Sequence, residues 1–166
     1  MTTIASSSTV SSERSANLVR SAVGGLIGGM ALAMFAMVVA AAGGTGFWAP
    51  VRGITSVIFG DSHYGGSFAF GSVATGAAIH MMNSVVLGAL FAVVVAALLR
   101  HASRMTIWMA GAMYGLAVWL VMVVGVSQGL QGSGLFASAI PEWAWAVGHV
   151  VFGLMTAMVL TGRRKA

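Results

Sequence analysis

The sequence predicts an all-α integral membrane protein, a four-helix bundle, and three observations carry that expectation. Of 166 residues, 58% are hydrophobic and only 7% are charged, against about 25% charged in a soluble domain. Four apolar runs, at about 21–42, 75–99, 105–126 and 142–162, reach the roughly 20 residues that cross a bilayer core. Within these runs small residues recur every fourth position, which aligns them along one helix ridge.

That stripe is longest in the second run, as Gly76, His80, Ser84, Gly88, Ala92 and Ala96. In lipid, where packing and interhelical hydrogen bonds replace the hydrophobic effect, such a row lets two backbones approach closely. Val85, Val86, Leu90, Phe91 and Val94 fall on the other faces and suit lipid or bulky neighbours.

In chain order, residues 1–17 are rich in Ser and Thr without apolar periodicity and are expected to form a disordered cytoplasmic tail. Residues 18–162 form a single transmembrane domain. Its first run is longer than the 7–15 residues or so of a cleavable signal core, so it is expected to be retained as a span. It holds two interleaved glycine pairs, Gly24/Gly28 and Gly25/Gly29, suited either to a neighbouring helix of the same chain or to a second copy.

The connection from Gly43 to Ser72 is long for a compact bundle. In its first half Phe47, Val51, Ile54 and Ile58 recur at helical spacing, with Arg52, Thr55 and Ser56 opposite. Pro50 suits the first turn and Gly60 a stop, which predicts a short interfacial helix anchored by Trp48. The second half carries Asp61, His63, Tyr64, Phe68 and Phe70, fitting either a lid or a plain connector.

A basic turn, Arg100-His101 to Arg104, precedes the third run, which has Gly111 and Gly115 spaced by four. Ser127 to Ile140 reads as a polar loop, and Pro141-Glu142-Trp143 as a helix start. Residues 163–166 are a basic cytoplasmic tail. Arg14, Arg20, Arg100, Arg104, Arg163, Arg164 and Lys165 fall on one side of a four-span topology and Arg52 alone on the other. Positive-inside counting therefore places both termini in the cytoplasm of a bacterial cytoplasmic membrane.

The two hairpins also match one another. Gly25-x3-Gly29-x-Ala31 corresponds to Gly111-x3-Gly115-x-Ala117, and His80-x3-Ser84-x3-Gly88 to His149-x3-Gly153-x3-Ala157. Both hairpins start inside, so a duplication would be a parallel repeat. So short a match in an apolar, Gly-rich alphabet is compatible with duplication and with chance.

Chemistry-bearing side chains are few. There is no Cys, and the three acids, Glu13, Asp61 and Glu142, lie outside the interiors of the apolar runs. Thiol and disulfide chemistry are excluded, and no hydrolase or zincin motif occurs. The basic residues flank spans rather than forming a patch, so nucleic acid is not an expected partner. The strong polar groups within the spans are His80, Asn83 and His149. Each must find a partner or face a cavity.

Four readings fit the two imidazoles: helix-packing hydrogen bonds, a pH switch, a metal site with His63, Asp61 or Glu142, and axial ligation of one b-type haem. Adjacent Met81 and Met82 beside His80 point about 100° apart. Apolar filler therefore suits them better than copper ligation.

The Gly46-Phe47-Trp48-x-Pro50 segment, the His80-x3-Ser84-x3-Gly88 helix and Trp143 to Gly153 with Gly148-His149 resemble small four-span bacterial membrane proteins. More distantly, the chain resembles the YagU type of inner-membrane protein, a family tied to acid resistance. The resemblance implies a His-bearing four-helix fold and supplies no activity. The expected role is non-catalytic and cofactor-free. The chain would act as an accessory subunit or homo-oligomer that presents Gly/Ala faces to other membrane subunits and is otherwise surrounded by lipid. A small pore or carrier, and a haem- or metal-binding protein using His80 and His149, are the competing classes.

Overall fold

A computed structural model describes residues 4–127, 129 and 137–162. It contains five α-helices: α1 (Ile4–Ala42), α2 (Ala49–Phe59), α3 (Phe70–Leu98), α4 (Arg104–Trp119) and α5 (Glu142–Thr161). Past Trp119, α4 continues as a π-helical segment, Leu120–Ser127. Four of the helices are long and apolar enough to cross a membrane. The expected loop Ser127–Ile140 lies mostly outside the described residues, and the basic tail 163–166 lies wholly outside them.

The helix bounds depart from expectation in two places. The segment expected to be a disordered tail is helical from Ile4 onward, so α1 runs 39 residues. That is roughly 58 Å at helical rise, about twice a bilayer core. No Gly or Pro interrupts residues 4 to 23, so the helix propagates backward from its apolar part at little cost. Helix α3 begins at Phe70, shortening the long connection from its far end.

Helix α1 packs against both α3 and α5, and α4 packs against α5, while α3 and α4 scarcely touch. Glycines make the close crossings possible. A Cβ on Gly25 would collide with the Ser84 carbonyl and stand 2.8 Å from Gly88 Cα; one on Gly28 would stand 2.7 Å from the Phe152 carbonyl. In the second hairpin, a Cβ on Gly111 would stand 2.6 Å from both Ala157 Cβ and the Gly153 carbonyl, and one on Gly115 would collide with the His149 carbonyl. Equivalent positions in the two hairpins thus make equivalent crossings, α1 on α3 and α4 on α5.

At the end where α3 turns into α4, Arg104 Nη2 donates to the Thr161 carbonyl at 3.3 Å and Trp108 Nε1 to Thr161 Oγ1 at 2.9 Å. A cation at the C-terminus of α5 completes its free carbonyls and favours the helix dipole. Methionines mark the outer faces: Met30, Met34, Met82, Met105, Met109 and Met113 are all exposed. Met82 therefore points away from the interior, as an apolar side chain in lipid would.

Helix α2 is buried on its polar side as well as its apolar one, where Val51 is 6% exposed. Its polar residues Arg52, Thr55 and Ser56 are buried, whereas Ile58 and Phe59 are 55% and 58% exposed. The cause is the segment that follows, whose backbone carbonyls need donors. Arg52 Nε donates to the His63 carbonyl at 2.9 Å, Nη2 to Tyr64 at 3.2 Å, and Nη1 to the Ser67 carbonyl at 3.1 Å. Thr55 Oγ1 donates to the Ser72 carbonyl at 2.7 Å. The guanidinium fork therefore straps residues 63–67 onto α2.

Candidate functional site

A cavity of about 210 Å³ lies where all four long helices and α2 converge. Helix α1 supplies Leu32, Ala33 and Ala36, α5 supplies Trp145, His149 and Phe152, and α3 supplies Ile79, His80, Asn83, Ser84 and Leu87. Val118 of α4 with Met122, Val123 and Val126 of its π-helical extension form another wall. Pro50, Val51 and Ile54 of α2 lie across the end where α1 stops and α3 starts. On the other side the interior is filled by buried Phe91, Ile107 and Leu160. The cavity is thus stopped at both ends.

Its existence has a cause visible in the two hairpins. With His80 set over His149 and Gly25 over Gly111, Gly28 corresponds to Tyr114 and Phe152 to Asn83. Where Gly24 and Gly28 draw α1 onto Thr156 and Phe152 of α5, Ala110 and Tyr114 stand at the equivalent positions of α4. Tyr114 acts as a spacer. Its hydroxyl donates to the Leu87 carbonyl at 2.7 Å and its ring lies 5.1 Å from Phe91, tying α3 to α4 at arm's length. The side of the cavity between α3 and α4 consequently stays parted. The π-helical turns add girth to the same wall; such turns often accompany functional sites.

Of the polar residues singled out from sequence, His80, Asn83 and His149 share this cavity. His149 is only 6% exposed. Each ring has one nitrogen aimed at a backbone carbonyl: His80 Nε2–H donates to Gly29 at 2.9 Å, and His149 Nδ1–H donates to Trp145 at 2.7 Å. The first bond needs Gly29, because a Cβ there would collide with Ser84 Oγ and stand 3.6 Å from His80 Nε2. A carbonyl can only accept, so these contacts settle both tautomers. In the uncharged ring the second nitrogen, Nδ1 of His80 and Nε2 of His149, carries a lone pair. Asn83 has no hydrogen-bond partner among the described residues and contributes a carboxamide to the same walls.

The remaining polar candidates, His63, Asp61 and Glu142, do not join this group. His63 Nδ1 pairs with Ser72 Oγ at 3.2 Å and its ring lies 6.2 Å from Phe59, while Asp61 and Glu142 are exposed. None of the three lines the cavity. No group of three or more His, Cys, Asp or Glu suited to a metal ion occurs among the described residues. The helix-packing candidates Gly25, Gly29, Ser84, Gly88, Gly111, Gly115, Gly153 and Ala157 all lie at crossings within the chain.

Three participants escaped sequence reasoning. Tyr114 was legible in principle, through its mismatch with Gly28 when the hairpins are aligned. Trp145 one turn before His149 was legible as an i, i+4 neighbour. The π-helical segment carries no signal that its sequence, LVMVVGVS, distinguishes from ordinary apolar helix. No family model matches this chain, and no curated protein or solved structure matches it either.

Proposed function

We propose that the protein is a four-span helical bundle of the bacterial cytoplasmic membrane that binds a small, mostly apolar molecule in its interior cavity. The observation that carries this proposal is the placement of His80, Asn83 and His149 in walls that are mostly apolar apart from Ser84, whose hydroxyl is bonded to the His80 carbonyl, where α3 and α4 scarcely touch. Apolar pockets with a few convergent polar groups are the usual form of a ligand site. A parted wall facing lipid gives such a molecule a route in from the bilayer.

The geometry favours this over assembly through Gly/Ala faces, because those faces meet one another inside the chain. It favours binding over a pore, since α2 and the Phe91–Ile107–Leu160 cluster stop the cavity at its two ends. It favours an organic ligand over a bis-histidine haem, because Nε2 of His80 is occupied by the Gly29 carbonyl. With no carboxylate among the cavity walls, the proposed role is binding without catalysis.

Titrating a small alkylbenzene into the protein in lipid nanodiscs tests the proposal through the fluorescence of Trp145, which lines the cavity. Saturable quenching is expected for wild type. Ala33→Phe and Met122→Trp, each of which fills the cavity from a different wall, are expected to abolish it. Linear quenching that is equal in all three proteins would reject the site.

Topology is the second element of the proposal, supported by the Lys/Arg asymmetry and by the shared end of α4 and α5 at Arg104. A cysteine at Ser62, exposed after α2, is expected to react with an impermeant thiol reagent in intact cells. A cysteine at His101, exposed between α3 and α4, is expected to react only after permeabilisation. Reversed labelling would reject cytoplasmic termini. The matched crossings of the two hairpins support descent from one duplicated hairpin, with the α1–α5 and α3–α4 interfaces having since diverged.

A further inference from the structure

The proposed cavity has a hydrogen-bonding polarity, and it restricts what the site accepts. Two imidazoles line it, and each points its N–H at a backbone carbonyl, Gly29 for His80 and Trp145 for His149. Those bonds are internal to the protein. The His80 bond joins α3 to α1, and the His149 bond closes onto its own helix one turn back. Moving either proton to the other ring nitrogen would set a lone pair against the carbonyl oxygen and forfeit the bond. Toward the cavity both rings are therefore acceptors. Asn83 is the adaptable member, because a carboxamide both donates and accepts.

Resting on the cavity-binding proposal above, we infer that the ligand class is an apolar hydroxyl compound, a membrane-soluble phenol or alcohol. Its O–H donates to an imidazole lone pair of His80 or His149, and its oxygen accepts from the Asn83 amide. Such a group answers both polarities at once. A ketone, ether or ester carries only acceptors and would set its lone pairs against those of the rings. Size agrees with a single ring and a short substituent: a cavity of about 150 Å³ suffices to hold benzene, and this one measures about 210 Å³. Trp145 and Phe152 offer flat aromatic walls for such a ring, and the parting between α3 and α4 leaves room for an alkyl tail to extend into lipid. A site built to pair a hydroxyl rejects the analogue that lacks it, because its own polar groups are then left unsatisfied.

The test compares 4-butylphenol with 4-butylanisole, which share shape and differ in the one proton. Both are titrated against nanodisc-embedded wild type, His149→Leu and Ala33→Phe, with Trp fluorescence and thermal stabilisation as readouts. Wild type is expected to bind the phenol roughly tenfold or more tightly than the anisole. His149→Leu is expected to lose most of that preference by weakening phenol binding without weakening anisole binding. A variant that merely disturbed the fold would weaken both. Saturable, Ala33→Phe-sensitive binding of the two compounds with equal affinity would overturn the hydroxyl inference and leave the cavity proposal standing. Absence of saturable binding for either compound in wild type would overturn both.

Discussion

Gly88→Leu is expected to leave little folded protein in detergent, while Leu90→Ala melts within a few degrees of wild type. The two residues lie two positions apart on α3 and face different surroundings. A Cβ on Gly88 would collide with the Ser21 carbonyl and stand 2.8 Å from Gly25 Cα, and both of these are backbone atoms of α1. Backbone cannot yield as a flexible side chain can, so the helices must separate. Every close contact along the crossing is then weakened, including the approach of Ser84 to Gly29 that brings His80 to its carbonyl. Overpacking of this kind costs about 3 kcal/mol or more, a large part of the stability of a small domain. Leu90 is 47% exposed on the outer face, where shortening an apolar side chain trades one apolar neighbour for another. Thermal melting of the two variants checks the prediction. Equal losses, or a larger loss at Leu90, would show that the crossing does not hold the fold together.

That contrast also marks how far the sequence alone reaches. The four helices long and apolar enough to cross a membrane were legible because length and low charge mark them directly. The fourfold spacing on α3 was legible because helix geometry forces Gly76, Ser84 and Gly88 onto one ridge, and these are buried. Which helix meets that ridge was not legible. Gly24, Gly25, Gly28 and Gly29 give α1 two adjacent small faces, and only the three-dimensional arrangement assigns one to α3 and the other to α5.

The candidate site was legible as a set of residues and not as a place. Polar groups are so rare in the spans that His80, Asn83 and His149 select themselves. Their meeting depends on the relative depth and facing of two helices, which residue spacing within each helix does not fix. The hydrogen bonds that settle both imidazole tautomers run to backbone carbonyls, which every residue owns and no side-chain pattern reveals. Helix α2 shows the same blindness from the other side. The burial of its polar side, Arg52 and Thr55, has its reason in carbonyls of the next segment, which those two side chains satisfy.

Arg52 accordingly yields the second large effect: Arg52→Leu is expected to destabilise the protein by about 3 kcal/mol, and Arg52→Lys to recover only part of the loss. The side chain is 9% exposed and its donors reach three backbone carbonyls, with Ser67 Oγ a further acceptor at 3.3 Å from Nη1. Leucine fills the space and leaves those carbonyls with nothing to accept. Each buried unpaired carbonyl costs roughly 1–3 kcal/mol, reduced wherever the freed segment swings out to water. Lysine restores the charge but donates from a single nitrogen, which cannot span acceptors arranged around a planar fork. Residues 63–67 should then detach from α2 before the bundle itself opens. Limited proteolysis is expected to cut the Arg52→Leu protein near Tyr64 under conditions that leave wild type intact, with the lysine variant between them. Since α2 closes one end of the cavity, the same variant should bind the cavity probes more weakly without losing its preference for a hydroxyl. Wild-type resistance to cleavage in Arg52→Leu would mean that packing of α2 on Gly76 of α3 holds this end unaided, and that the strap is dispensable.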